Sequence, residues 1–141
     1  MSDMRRRLLW NGVFLFLLGL LSGFVEQQFK NPRMGLAAHL EGLMNGLFLL
    51  VLAAIWSDFR LPPRATAVTY WAAIYGTYVN WGVTVFAATV GAAALSPITS
   101  AGYLARGWEE GLVTAGFASV GLAMVGVSVL ALWGLRRTGG V

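Results

Sequence analysis

The sequence predicts an all-α integral membrane protein, a four-transmembrane-helix bundle. Composition is the first reason: of 141 residues, 57% are hydrophobic and only 11% are charged, where a soluble domain carries about 25% charged residues. Pattern is the second, because the apolar residues come in long blocks rather than at helical or strand spacing, and a soluble core this small has no room for them. The third is that the breaks between blocks hold prolines and charges. Collagen, a disulfide scaffold, a disordered tail and a soluble single-domain enzyme are excluded together.

A bilayer core takes about 20 mostly apolar residues per spanning helix. The blocks fall at 8–25, 36–56, 66–90 and 112–135, within one membrane domain expected to cover 1–141. Between them lie Lys30-Asn31-Pro32-Arg33, then the segment 58–64 with Pro62 and Pro63, then a stretch over 91–111 containing Ser96-Pro97. Proline there interrupts a helix, since it lacks the amide donor and restricts its neighbour. The basic start, Arg5-Arg6-Arg7, resembles that of a cleavable signal. No A-x-A-like site follows, and the run is long enough to span, so the first span is expected to stay.

Orientation follows from Lys and Arg. Arg5, Arg6, Arg7, Arg60, Arg64, Arg136 and Arg137 fall on one side, against Lys30, Arg33 and Arg106 on the other. Both termini are therefore expected in the cytoplasm, with the protein multi-pass in a bacterial-type inner membrane. Topology also explains the net charge of +4, so no nucleic-acid partner is expected. Trp10, Trp56, Trp108 and Trp133 lie near span ends, where amphipathic rings prefer the headgroup level. Gly19-xxx-Gly23 and Gly42-xxx-Gly46 predict close helix packing, within the bundle or between subunits. Cysteine is absent, which excludes zinc–thiolate, iron–sulfur and cysteine-nucleophile chemistry.

Polar groups at membrane depth are costly and need a partner or a task. Span two holds His39, Glu41 and Asn45; span three holds Tyr70, Tyr75, Tyr78 and Asn80. His39 is the sole histidine. It suits either a carbonyl partner or iron ligation, and a single histidine excludes an intrachain bis-His haem while permitting five-coordinate iron. Asn45 lies six residues on, about 9 Å along the helix and about 240° around it, so the two do not share a face. A closed ring of subunits, each presenting His39 to one neighbour and Asn45 to the other, would answer that geometry with a site between subunits. Glu41 reads as a paired carboxylate or as a proton-coupling one. Tyr78 falls at the depth of Asn45.

The run Asn31-Pro32-Arg33-Met34-Gly35-Leu36-Ala37-Ala38-His39-Leu40-Glu41-Gly42-Leu43-Met44-Asn45-Gly46, with H-x-E-G-x-x-N-G inside an apolar span, resembles the signature of the small membrane family of hydroxylaminobenzene mutases and styrene oxide isomerases. Length, four spans and N-terminal start are most similar to the mutases. The resemblance implies a homotrimer with haem b between protomers, its ferric iron acting as a Lewis acid. It assigns the axial iron ligand to His39, the substrate-pocket asparagine to Asn45 and the catalytic tyrosine to Tyr78, with Tyr75 as the alternative register. Lys30 and Arg33, just before His39, are candidates for the haem propionates. The implied reaction is isomerisation of a small aromatic hydroxylamine, hydroxylaminobenzene, to 2-aminophenol, a step of nitroaromatic degradation.

Two other classes fit parts of the sequence. A small proton-coupled multidrug-type transporter would use a carboxylate such as Glu41, although its essential acid would be expected mid-membrane in span one, where only the terminal Glu26 stands. A non-catalytic membrane haem protein would need His39 and leave Asn45 and Tyr78 without a role.

Overall fold

The computed structural model describes residues 3–136; Arg137, counted above for orientation, lies outside the described residues. Four helices follow in chain order: α1 (Asp3–Val25), α2 (Pro32–Ala54), α3 (Pro63–Val90) and α4 (Gly107–Gly134), with single 3-10 turns at Glu26–Gln28 and Trp56–Asp58. Three of them, α1, α2 and α4, are long and apolar enough to cross a membrane. Helix α3 has 28 residues, about 42 Å at 1.5 Å per residue, but threonines, tyrosines and Asn80 make it more polar. Most of its threonines are answered locally. The hydroxyls of Thr69, Thr77 and Thr89 each donate to the carbonyl four residues earlier, at 2.7–2.8 Å.

Each helix begins several residues before its apolar block, and at α2 and α4 a side chain, Asn31 and Glu109, hydrogen-bonds the backbone at the helix start. Pro32 and Pro63 are the first residues of α2 and α3, so these prolines open helices where their missing donor costs nothing. Asn31 caps α2 by accepting from the Met34 amide at 3.3 Å. The same buried side chain donates to the Thr99 carbonyl at 3.1 Å, and its backbone amide reaches Ala88 O at 3.1 Å. One residue thus ties the start of α2 to the end of α3 and the following loop. Helix α3 ends at Gly91, whose left-handed φ of 75° favours glycine.

Helix α2 sits between α1 and α3, and α4 packs on α3. The α1–α2 seam is built on glycine. A Cβ at Gly42 would lie 2.3 Å from Gly19 Cα, and one at Gly46 would lie 2.7 Å from the Gly12 carbonyl oxygen. Gly42-xxx-Gly46 therefore packs inside the bundle. Helix α4 buries Val113, Val120, Val127 and Gly134, a seven-residue repeat that makes a narrow seam and leaves the rest of the helix exposed. Trp10, Trp108 and Trp133 are exposed, as a headgroup belt requires. Trp56 is instead buried, edge-on to Phe59 and Tyr70 at 5.5 and 6.4 Å, so it is a core residue.

Candidate active site

The H-x-E-G-x-x-N-G run divides between two faces of α2. His39, Gly42 and Gly46 face α1, while Glu41 and Asn45 face α3. The turn of about 240° between His39 and Asn45 is therefore answered by two helices of the same chain.

His39 is half-buried, and its Nδ1 lies 2.8 Å from the Gly19 carbonyl oxygen. A carbonyl only accepts, so Nδ1 carries the proton and Nε2 keeps a lone pair in the neutral ring. The imidazole lies over Gly23, where a Cβ would come within 2.6 Å of Nδ1. Gly19-xxx-Gly23 thus serves two ends: Gly19 brings the backbones together, and Gly23 makes room for the histidine.

On the other face, Asn45 Nδ2 donates to Thr77 O at 3.3 Å, one residue from Tyr78. Asn45 and Tyr78 therefore lie at one level. The Tyr78 hydroxyl donates to Asn11 Oδ1 on α1 at 2.8 Å, and its ring lies 6.5 Å from that of Phe14. Beside it, Trp10 and Phe14 line an apolar groove of about 470 Å³ on the outer face of α1. Tyr75 points elsewhere: its hydroxyl pairs with Ser119 on α4 at 2.7 Å.

Glu41 is a paired carboxylate, accepting from Thr84 Oγ1 at 2.5 Å across the α2–α3 contact. Arg33 is engaged with the α3–α4 loop, donating to Ala101 O and lying 5.8 Å from the centre of the Tyr103 ring. Lys30 lines a polar groove of about 450 Å³ with Arg106 and Glu109. Three polar partners escaped the sequence reading. Asn11 stands out as a lone amide inside an apolar block, a signal that was available. Thr84 and Glu110 offered none, since threonine is common in α3, and Glu110 acts through loop amides that only folding brings near.

Among the described residues no group of three or more His, Cys, Asp or Glu side chains gathers to hold a bare metal ion. The arrangement is that of a helical membrane protein whose polar side chains pair between helices: His39 with α1, Asn45 with α3 and Tyr78 with α1. Over residues 4–136 the chain matches the family model for styrene oxide isomerase. It is 45% identical over 136 residues to hydroxylaminobenzene mutase HabB of Ectopseudomonas oleovorans, covering 96% of this chain and 83% of that protein. Hydroxylaminobenzene mutase HabA of the same organism is 38% identical over 135 residues, covering 95% of this chain and 100% of that protein. No solved structure matches the chain. The chain belongs to the styrene oxide isomerase family and is an isomerase. Transport and non-catalytic haem binding are thereby set aside.

Proposed function

We propose that the protein is a hydroxylaminobenzene mutase that converts hydroxylaminobenzene to 2-aminophenol at a haem b site between subunits of a homotrimer. The observation that carries the reaction is the 45% identity to HabB across 96% of the chain. In this reading α3 also crosses the bilayer, most of its threonine hydroxyls satisfied by its own carbonyls, and the balance of Lys and Arg places both termini in the cytoplasm of a bacterial-type cell, with the protein in the inner membrane.

Support for haem comes from the donor set. An imidazole whose Nδ1–H is held by a carbonyl presents Nε2 in a set orientation, the arrangement iron-ligating histidines use. One histidine suffices for that group. Lys30 and Arg33, just before and on the first turn of the helix that carries His39, are the cations that would hold the propionates. When bound, ferric haem supplies a Lewis acid for an oxygen atom.

The chain's own residues do the rest. Asn45, with one N–H committed to Thr77 O, offers Oδ1 to the substrate's N–H or O–H and orients the NHOH group. Tyr78 stands one residue further along α3 and meets the migrating oxygen. The N–O bond breaks heterolytically, a C–O bond forms at the ortho carbon, that carbon loses its proton and nitrogen finishes as NH2. Atoms balance and no electron is exchanged. The surrounding apolar helices exclude water that would otherwise divert the cationic species to the para product.

The test is an absorption spectrum of the detergent-purified protein before and after dithionite, beside His39→Ala, with chromatographic assay of 2-aminophenol. A Soret band lost or shifted in His39→Ala, together with product from the wild type, is expected. No Soret band after haem supplementation overturns the haem site; no 2-aminophenol from haem-loaded wild type overturns the reaction.

A further inference from the structure

Two hydrogen bonds of Asn11, one within α1 and one to α3, have directions that chemistry leaves no freedom to reverse. The carbonyl oxygen of Arg7 can only accept, so the group of Asn11 lying 2.8 Å from it is the NH2. The other end of that amide, Oδ1, then faces Tyr78 at 2.8 Å, and it too can only accept. The backbone oxygen of Asn11, 3.4 Å from the same phenol, is a further acceptor. The single O–H of Tyr78 is therefore spent on Asn11, and what the phenol oxygen has left is its lone pairs.

We propose that Asn11 is a positioning residue that sets specificity: it commits Tyr78 to accept a hydrogen bond, and so selects substrates that donate one. The inference rests on the reading that Tyr78 meets the substrate. An aryl hydroxylamine carries N–H and O–H donors, whereas an epoxide carries an acceptor oxygen and no donor. A site built to pair with a substrate N–H or O–H discriminates against an analogue that lacks it, because its own polar group is then left unpaired. Within a family that spans both chemistries by name, the Asn11–Tyr78 pair turns this chain toward the hydroxylamine. Asn11 need not touch substrate to do so. Its amide is held in place by its own helix through Arg7 O, which makes the direction of the Tyr78 hydroxyl a property of the protein before anything binds.

The experiment uses the full-length, haem-loaded protein in detergent. It compares KM for hydroxylaminobenzene with the inhibition constant of styrene oxide as a competitor, in wild type, Asn11→Leu and Asn11→Asp. Asn11→Leu removes the near acceptor, leaving only the backbone oxygen at 3.4 Å, and so loosens the hold on the Tyr78 proton. It is expected to raise KM while strengthening the competitor, so that the preference for hydroxylaminobenzene falls about tenfold, the scale of one hydrogen bond. Asn11→Asp keeps an acceptor oxygen and is expected to hold the preference within about twofold. Adding Asn11→Leu to Tyr78→Phe is expected to change the preference no further, as for two residues acting through one group. If Asn11→Leu weakens substrate and competitor in equal proportion, Asn11 is packing alone and the proposal is overturned.

Ultraviolet resonance Raman, taken as wild type minus Tyr78→Phe, reads the phenol without any turnover. A hydrogen-bond-donor signature for Tyr78 that is lost in Asn11→Leu supports the proposal, and an acceptor-only signature in wild type overturns it. Wild type that makes no 2-aminophenol overturns the assigned reaction, and is thereby distinguished from a failure of Asn11 to orient the phenol.

Discussion

The Nδ1 of His39 on α2 lies 2.8 Å from the backbone oxygen of Gly19 on α1. A helix carbonyl comes within reach of a neighbouring helix's side chain only where the two backbones approach closely, and Gly19 against Gly42 supplies that approach. The glycine seam and the orientation of the histidine are one device. Packing brings the carbonyl to the imidazole, and the carbonyl holds the proton on Nδ1.

Gly23→Ala tests that device at its softest point. The added methyl would stand 2.6 Å from His39 Nδ1, and a side chain, unlike backbone, can yield. The expected outcome is unchanged helix content by circular dichroism, a shifted haem spectrum, and turnover reduced by about 10²-fold, the cost of misplacing a reacting group by about 1 Å.

Gly42→Ala strikes backbone. Its methyl would fall 2.3 Å from Gly19 Cα, so α1 and α2 must separate along the whole seam. A loss of about 1–3 kcal/mol or more is expected, read as a lowered melting temperature in detergent and poorer recovery of folded protein than for Gly23→Ala.

Thr84→Val removes the hydroxyl that donates to Glu41 at 2.5 Å. Leaving that partly buried carboxyl group without its partner is expected to cost about 1–3 kcal/mol of stability. Glu41→Gln keeps a carbonyl oxygen for Thr84 and is expected to retain most turnover, whereas His39→Ala loses it. The reverse pattern, Glu41→Gln inactive and His39→Ala active, would mean that the carboxylate carries the chemistry.

Tyr78 and Tyr75 separate cleanly because they point to different helices. Tyr78→Phe, at the Asn11 and Asn45 level, is expected to lower kcat by about 10²-fold, in the range for a lost transition-state hydrogen bond. Tyr75→Phe, paired with Ser119 on α4, is expected to stay within a few-fold of wild type. Steady-state kinetics on both, with haem content measured alongside, distinguishes the two registers of the proposed catalytic tyrosine.

Glu110 holds the connection between α3 and α4. Its carboxylate accepts from the amides of Ala93, Ala94 and Ala105 at 2.7–2.9 Å, gathering both ends of the loop 91–106 at the start of α4. Glu110→Ala leaves those amides to find other partners. Limited proteolysis is expected to cut that loop faster than in wild type, with the spectrum of the proposed His39 haem site unchanged.

Hydropathy along the chain was enough for the helical architecture and for marking polar candidates inside it. Apolar blocks the length of a bilayer, separated by Pro32, Pro63 and clustered arginines, were enough to locate four helices, because helix formation and burial in lipid depend on local composition. They also exposed His39, Glu41, Asn45 and the tyrosines of the third span, since polar groups are conspicuous in an apolar run; choosing His39, Asn45 and Tyr78 among them took the family resemblance. The helices start several residues before the apolar blocks, because a helix continues into polar flanking residues that hydropathy does not mark. Pairing was decided by tertiary structure. That His39 meets Gly19, that Glu41 meets Thr84, and that Tyr78 spends its proton on Asn11 all depend on the rotation and register of helices against one another. Those are set by how closely glycine lets backbones approach, a property of two helices at once that no single stretch of chain encodes.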